Sequence, residues 1–328
     1  MRSLTRAALY VGIVASGLAS CAAPRAEAAA PVPTDSPYVL VLGTAQDGGM
    51  PQIACTCDAC EAAREDPGTR RLVTSLLLVD PTSGERWLFD AGPELPEQVE
   101  LARGHGRRGE AAHAGRPALF DGVFITHAHL GHYAGLLYLG REAYGSEPMT
   151  VFGTPRLLDF LGGNGPWSLL FGAGHAKGRA LAPGATASLT ESLSVTAIEV
   201  PHRDEFSDTV AFRIQGPAHA LLYLPDIDKW DRWGTPLEDV LKTVDYALID
   251  GTFYGPDELP GRDMAQVPHP FIVESMARLA PLAAGERAKV YFTHLNHSNP
   301  AAAPGGEAAA RVSRAGFHVL DEGTVFGL

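Results

Sequence analysis

Three histidines lie close together in the stretch Thr126-His127-Ala128-His129-Leu130-Gly131-His132, which follows the apolar run Val123-Phe124-Ile125. The apolar run predicts a buried strand. Because alternate residues of an extended segment point the same way, His127 and His129 can hold one metal ion, and His132 can face a second after a turn. Imidazole suits zinc and its first-row neighbours, and a metal held in this way generates hydroxide near neutral pH. The stretch therefore indicates a metal centre; the alternative is a set of unrelated surface histidines.

Three later apolar runs also end in a residue that can bind metal. These residues are His202 after Ile198-Glu199-Val200-Pro201, Asp226 after Leu221-Leu222-Tyr223-Leu224-Pro225, and His294 after Val290-Tyr291-Phe292-Thr293. Strand ends are rigid positions from which a loop can aim a ligand. One histidine after a strand is usually a surface residue, but three such ends together with the histidine stretch favour metal binding by the whole set.

Three of the four cysteines are clustered in Cys55-Thr56-Cys57-Asp58-Ala59-Cys60, and the fourth is Cys21. A disulfide within Cys-x-Cys would be strained. Three thiolates this close together, lacking a fourth ligand, are typical of a structural zinc site. The alternatives are a disulfide with one free thiol, and three unpaired thiols.

The N-terminal residues read as a targeting segment. Arg2 and Arg6 precede an apolar stretch, 7–19, that is too short to span a bilayer. The stretch ends in Leu18-Ala19-Ser20-Cys21, which resembles a bacterial lipobox. We therefore expect a signal peptide over 1–20, a lipidated Cys21, and a flexible tether over 21–37. This would anchor the protein in the cell envelope, facing the periplasm, with the membrane as a partner through the lipid; the alternative is a plain signal peptide with an accidental cysteine.

The composition is that of a globular protein, since 45% of the 328 residues are hydrophobic and 20% are charged. A formal net charge of −12 argues against nucleic acid as the main partner, so we expect a small-molecule substrate. No linker interrupts residues 38–328, which predicts one domain; a split near residue 190 is the alternative. The sequence leaves the oligomeric state open.

Hydrophobic periodicity predicts many strands with helices between them, in two similar halves. The predicted strands are 38–43, 75–80, 86–89, 122–126, 150–153, 193–200, 209–214, 220–224, 246–250 and 289–293. The predicted helices are 95–103, 134–144, 155–161, 236–244, 271–279 and 301–315. Residues 104–117 read as an exposed loop, and 317–327 as a hairpin. This order predicts an α/β fold in which two sheets pack face to face with helices outside.

The histidine stretch, the later His, the Asp after a strand and the final Thr-His resemble the metallo-β-lactamase superfamily. The resemblance covers residues 38–328 and implies a four-layer αββα sandwich with one or two metals, usually zinc, at the sheet edge. By position, it implies that the first metal is held by His127, His129 and His202. It implies that the second is held by His132 and His294, that Asp226 bridges the two, and that Asp90 supports the histidine stretch.

Two branches of this superfamily are more similar. One is the cyclic-phosphate phosphodiesterase of phosphonate breakdown, which carries the same cysteine spacing and an end like Thr293-His294-Leu295-Asn296-His297. This resemblance implies a structural zinc on Cys55, Cys57, Cys60 and His297, and a proton donor at His269; the alternatives are a solvent-exposed loop residue at 297 and a helix-start residue at 269. Asp250 reads as a supporting or turn residue rather than a ligand.

The other branch is the B protein of pyrroloquinoline quinone (PQQ) biosynthesis. Its resemblance rests on the glycine-rich loop ending Gly-Gly-Met-Pro-Gln52, on Val200-Pro-His-Arg-Asp-Glu-Phe-Ser-Asp208, and on His297-Ser-Asn-Pro300. Many members of that branch have a degraded histidine stretch, whereas this chain keeps its three histidines. We therefore expect a metal-binding relative.

One position departs from the superfamily pattern. The usual stretch is His-x-His-x-Asp-His, and Gly131 stands where that Asp would bind the second metal. Either the site works with one metal, or another carboxylate substitutes, with Asp47 and Asp204 as candidates. A third alternative is that hydrolysis has been lost and the site only binds. Introducing Gly131→Asp would, on this basis, strengthen the second metal site.

The sequence thus predicts a metal-dependent hydrolase, in which a metal-bound hydroxide attacks an ester-like substrate with help from Asp226 and His269. A phosphodiester is the first candidate, and a lactam or thioester the next. We expect zinc, with manganese or iron as alternatives in the active site. The competing functions are a PQQ-biosynthesis B-like protein that acts on or carries a quinone precursor without hydrolysis, and a silent lipoprotein stabilised by zinc.

Overall fold

The structure is a computed structural model that describes residues 33, 35–106, 111–113, 116–145 and 148–328. The predicted signal peptide and Cys21 lie outside these residues. Among the helices of the described residues, none has the length and apolar composition that a membrane crossing requires.

The first sheet has seven strands in the order β16-β1-β2-β3-β6-β7-β8. Their bounds are β1 (Tyr38–Gly43), β2 (Ser75–Val79), β3 (Arg86–Phe89), β6 (Gly122–Phe124), β7 (Met149–Gly153), β8 (Ala176–Ala180) and β16 (Val325–Gly327). β16, β1, β2 and β3 pair antiparallel, and β3, β6, β7 and β8 pair parallel. A small separate sheet is formed by β4 (Ala111–His113) and β5 (Arg116–Pro117).

The second sheet also has seven strands, in the order β15-β14-β13-β12-β11-β10-β9. Their bounds are β9 (Thr186–Ser188), β10 (Ser194–Val200), β11 (Thr209–Gln215), β12 (Ala220–Leu224), β13 (Tyr246–Asp250), β14 (Val290–Thr293) and β15 (His318–Val319). β9 to β12 pair antiparallel, and β12 to β15 pair parallel. Both sheets are therefore mixed.

Each central strand is apolar at consecutive positions because both of its faces are buried. In β1, Val39 and Val41 face the core between the sheets, whereas Leu40 and Leu42 face the helices outside. In β12, Leu221 and Tyr223 face the same inner core and Leu222 faces the other helical layer. The inner core is thus built from both sheets at a period of two residues.

Helices cover both outer faces. Their bounds are α1 (Asp58–Glu65), α2 (Leu95–Leu101), α3 (Leu130–Tyr133), α4 (Pro155–Gly163), α5 (Trp167–Gly172), α6 (Leu237–Leu241), α7 (Ile272–Leu279), α8 (Ala284–Arg287) and α9 (Glu307–Arg314). Helices α2 to α5 pack on the first sheet, and α1, α6, α7 and α9 pack on the second. The predicted four-layer αββα sandwich is confirmed.

Four local predictions are wrong. The helix predicted over 134–144 is α3 followed by a short 3₁₀ helix, Ala134–Leu139, and the helix predicted over 301–315 is interrupted at 303–306, where Gly305 has a φ of +69°. The hairpin predicted over 317–327 does not form, because β15 joins the second sheet and β16 joins the first. The loop predicted over 104–117 includes β4 and β5.

Candidate metal centre

The predicted metal-binding residues meet at one edge of the sandwich, because each follows a strand that ends there. His127, His129 and His132 follow β6, His202 follows β10, Asp226 follows β12, and His294 follows β14. Donor atoms of His127, His129, His202 and Asp226 all lie within 4.8 Å of one another. The chain thus brings together side chains that are up to 167 positions apart in the sequence, counted from His127 to His294.

The first half-site consists of three imidazoles and one carboxylate. His129 Nδ1 lies 2.9 Å from His127 Nε2 and 3.3 Å from His202 Nε2. Asp226 lies 3.4 Å from His127 Nε2 and 3.3 Å from His202 Nε2. Ligands bound tetrahedrally to zinc at its usual bond lengths are about 3.3 Å apart. The arrangement therefore fits a zinc-sized ion.

The second half-site contains His132 and His294, which share Asp226 with the first. Asp226 Oδ2 lies 3.8 Å from His132 Nε2 and 3.8 Å from His294 Nε2. Both Nε2 atoms are buried and have no hydrogen-bond partner. Buried polar atoms without a partner are costly, and an ion between them would relieve that cost. The donor set therefore fits a second metal.

Asp90 fixes the orientation of the His132 ring. Because a carboxylate only accepts, His132 Nδ1 donates to Asp90 Oδ2 at 2.8 Å. This leaves the lone pair on Nε2, which faces the site. Asp90 also accepts from the amide of Thr126 at 2.8 Å and from the hydroxyl of Tyr223 at 3.0 Å. The predicted supporting role of Asp90 therefore has a direct structural basis.

Asp250 orients His294 through Thr252. The Thr252 hydroxyl donates to Asp250 Oδ1 at 2.8 Å and accepts from His294 Nδ1 at 2.8 Å. The Nε2 lone pair of His294 is again directed into the site. His294 adopts a φ of +60° and Asp90 a φ of +59°, a region that other residues than glycine rarely occupy and that is common at functional sites.

Glu205 orients His129, and the sequence gave no indication of this. Its carboxylate accepts from His129 Nε2 at 3.2 Å, which leaves Nδ1 to face the site. Thr126 serves His127 in the same way, at 3.0 Å from its Nδ1. Glu205 lies three residues after His202, on a loop whose path no periodicity predicts.

His269 lies beside the metal ligands but is held differently. Its Nδ1 donates to Asp250 Oδ2 at 2.8 Å and lies 3.3 Å from Asp226 Oδ1. Burial alone would lower the pKa of His269, but the charges of Asp250 and Asp226 outweigh burial and raise it to about 9. Because Nδ1 is committed to carboxylates, Nε2 is the nitrogen left to meet a substrate.

The other imidazoles are held neutral. Burial and the neighbouring histidines lower the pKa of His127 and His202 well below the usual range, and lower that of His294 to about 3. Burial raises the pKa of Asp226 to about 8. For His132, burial is outweighed by Asp90 and the pKa rises to about 9. Neutral imidazoles are the form that binds metal.

The two carboxylates considered as replacements at the second half-site lie in different places. Asp47 groups with His132 and His294 within 4.8 Å. Asp204 is exposed and pairs with Arg156 at 3.4 Å. Asp204 is therefore excluded by its position as a substitute for an acid at 131.

The cysteine cluster meets His297, as predicted. The sulfurs of Cys55, Cys57 and Cys60 lie 3.5, 3.7 and 3.5 Å from His297 Nδ1. A tetrahedral zinc with ordinary Zn–S and Zn–N bonds separates sulfur from nitrogen by about 3.5 Å. The three thiols are not joined by a disulfide, and the four side chains fit a structural zinc.

Known proteins share this fold and sequence. Residues 85–295 match the model of the β-lactamase superfamily domain. The chain is 30% identical over 315 residues to coenzyme PQQ synthesis protein B of Methylobacterium nodulans, covering 88% of this chain and 99% of that protein. The crystal structure of Zn²⁺-bound PqqB from Methylobacterium extorquens superposes with a TM-score of 0.74 at 24% identity, over 89% of this chain and 100% of that one. A diphosphatase of the PhnP family superposes with a TM-score of 0.61 at 18% identity, over 89% and 97%. The two structural likenesses show the fold.

Proposed function

The chain belongs to the β-lactamase superfamily, and we propose that it is a metal-dependent hydrolase of a small ester-like substrate, with a phosphodiester as the first candidate. The observation that carries the proposal is the position of His269. A buried imidazole, held by Asp250 through Nδ1 at 2.8 Å, stands beside the shared ligand Asp226. A site that only stored metal would have no use for a proton donor there.

Each residue has a defined task in this reaction. His127, His129 and His202 would hold one metal, and His132 and His294 the other, with Asp226 between them. When bound, the metals would activate water and stabilise negative charge on the substrate. Asp90, Thr126, Thr252 and Glu205 fix the rings so that no reorganisation is needed during the reaction.

His269 supplies the proton that the leaving group needs. A leaving alkoxide is a strong base, and a protonated imidazole within reach can transfer a proton from Nε2 as the bond breaks. Asp250 and Asp226 favour the protonated form of His269 because their charges raise its pKa to about 9.

The test is a hydrolysis assay on purified protein loaded with zinc or manganese. The substrates are bis-p-nitrophenyl phosphate, p-nitrophenyl acetate, nitrocefin and a dialkyl phosphodiester. We expect turnover of a phosphodiester, and loss of turnover in the His127→Ala/His129→Ala variant. Absence of turnover on every substrate with each metal would contradict the proposal.

His269→Ala sharpens the test. With an alkyl leaving group, kcat should fall by about 10²- to 10⁴-fold. With p-nitrophenolate, which leaves without a proton, the loss should be much smaller. The matched control is His219→Ala, because His219 is exposed and precedes β12, at the end opposite to Asp226. An equal loss with both leaving groups would remove His269 from the reaction.

A second candidate function is that of a PQQ synthesis B-like protein acting on or carrying a quinone precursor without hydrolysis. It is supported by 30% identity that extends over 99% of a curated relative. The candidate predicts that catechol or ortho-quinone probes bind to the metal-loaded protein and perturb its Co²⁺ spectrum, while no ester is hydrolysed. The third alternative, a silent zinc-stabilised lipoprotein, predicts one zinc per chain and no effect of either probe.

We also propose that the protein is anchored in the bacterial envelope through a lipid on Cys21, facing the periplasm. The support is the lipobox-like Leu18-Ala19-Ser20-Cys21. The test is membrane fractionation of the full chain beside a Cys21→Ser variant. Release of the variant into the soluble fraction is expected, and identical fractionation of both would contradict the anchor.

A further inference from the structure

Gly131 creates a gap in the second half-site. The superfamily pattern has an acid at this position, and here the position carries no side chain. Gly131 does not adopt a positive φ, so its backbone conformation does not require glycine. Another reason must account for a glycine directly beside His132.

Asp47 fills the space that a side chain at 131 would occupy. Asp47 Oδ1 accepts from the Gly131 amide at 2.9 Å and lies 3.7 Å from His132 Nε2. A Cβ added at 131 would lie 2.4 Å from Asp47 Oδ1 and 2.7 Å from Asp47 Cα. Real Cβ atoms do not approach other heavy atoms that closely, and the second contact is with backbone, which cannot rotate away. Asp47 and any side chain at 131 are therefore mutually exclusive.

The loop that carries Asp47 is fastened to the segment that carries His294. The amide of Gln46 donates to the Leu295 carbonyl at 2.9 Å, and the amide of Leu295 donates to the Thr44 carbonyl at 2.8 Å. Gln46 also donates through Nε2 to Asp47 Oδ2 at 2.8 Å. The carboxylate is thus held in register with His294 by backbone on one side and by Gly131 on the other.

We propose that Asp47, from the loop after β1, has taken over the metal-binding role of the missing acid at 131, and that glycine at 131 is what admits it. The second half-site is then His132, His294, Asp226 and Asp47. The buried, unpartnered Nε2 atoms of His132 and His294 face the same point as this carboxylate. The inference rests on the metal site of the proposed function but not on hydrolysis, so its test reads metal binding alone.

The experiment titrates the protein with Co²⁺, following the d–d spectrum and the heat of binding, with no substrate present. Four variants are compared with the parent: Asp47→Asn, Gly131→Asp, the double variant Asp47→Gly/Gly131→Asp, and Asp204→Asn as the exposed control. Asp47→Asn keeps the shape and the acceptor for the Gly131 amide, so it tests the charge without disturbing the loop. Thermal unfolding confirms that each variant is folded.

We expect Asp47→Asn to weaken the second Co²⁺ by about 10- to 100-fold while the first is unchanged. Gly131→Asp should weaken it as well, since it expels the loop. The double variant should recover binding to within a few-fold of the parent, and Asp204→Asn should match the parent. Parent-like binding by Asp47→Asn, or a double variant no better than Gly131→Asp, would overturn the inference. Failure of the hydrolysis assay alone would leave it standing.

Discussion

His269 Nδ1 lies 2.8 Å from Asp250 Oδ2, and the other oxygen of Asp250 reaches His294 through the hydroxyl of Thr252. One buried carboxylate therefore positions both the proton donor and a metal ligand. The sequence predicted Asp250 as a supporting residue, and the contacts explain how it supports two different functions at once.

Replacing Asp250 should shift the pH dependence of hydrolysis. In Asp250→Asn, His269 loses one of the two charges that raise its pKa to about 9. Because a general acid works only when protonated, the alkaline limb of kcat should move to lower pH by about one unit or more. A pH–rate profile measures the shift, with the exposed Asp245→Asn as control. An unchanged alkaline limb would show that another group donates the proton.

Removing two ligands of the first half-site should lower the metal content in a defined way. The parent should contain two or three metal equivalents by elemental analysis, and His127→Ala/His129→Ala about one, held by the cysteine cluster. The reason is that two of the four donors of the first half-site are lost. About one equivalent in both proteins would sink the hydrolase proposal, because the cysteine site alone would be filled.

Metal binding at the second half-site should release protons. Asp90 holds the pKa of His132 at about 9 against the effect of burial, and burial raises that of Asp226 to about 8. Protons occupy these groups below those values and compete with metal, so affinity should fall about tenfold per pH unit below pH 8. Calorimetry in buffers of different ionisation enthalpy should count at least one proton released. Binding independent of pH between 6 and 8, or proton release equal to the parent's in His132→Ala, would contradict this prediction.

Loss of the cysteine site should weaken the second half-site as well as the fold. His297 and His294 belong to one short segment, which is paired with residues 44–46. Cys57→Ser should lower Tm by about 5–10 °C and reduce affinity for the second metal more than for the first. Thr56→Ala, at an exposed neighbour, is the matched control. A normal second site in Cys57→Ser would show that the two sites are independent.

Glu322 should make the fold less stable as pH rises. Burial raises its pKa from 4.5 to about 7, and the Leu72 amide and Arg71 oppose this only in part. Since the unfolded chain ionises near 4.5, the free energy of unfolding should fall between pH 4.5 and 7 and then level off. Glu322→Gln should raise it by about 1–3 kcal/mol at pH 8 and by much less at pH 5. Urea unfolding measures this difference, with exposed Glu191→Gln as reference; an equal effect at both pH values would refute the assignment.

Sequence periodicity predicted the sandwich because its central strands are buried on both faces and read as continuous apolar runs. The strand bounds at Tyr38–Gly43, Arg86–Phe89, Ala220–Leu224 and Tyr246–Asp250 were predicted without error. The edge strand Ala176–Ala180 was missed, since four of its five residues are exposed and carry no apolar pattern. Helix α1 was missed as well, because it is short and polar.

The candidate ligands could be predicted because each follows a strand, and the structure brings them together; their role as ligands remains a prediction. The choice between Asp47 and Asp204 could not be made from sequence, because it depends on contacts of Asp47 with Gly131 and of Asp204 with Arg156. The expectation that Gly131→Asp would strengthen the second site is reversed by the 2.7 Å approach of Asp47 Cα. Local pattern carries no information on such loop-to-loop distances.

The two half-sites differ in chemical hardness. The first offers three imidazoles and the shared Asp226, whereas the second, with Asp47, offers two imidazoles and two carboxylates. Nitrogen-rich sets favour zinc, and oxygen-rich sets accept manganese or ferrous iron more readily. We therefore expect unlike ions to sort between the two positions. Protein reconstituted with a single metal would then be a poor guide to the activity of the protein as the cell assembles it.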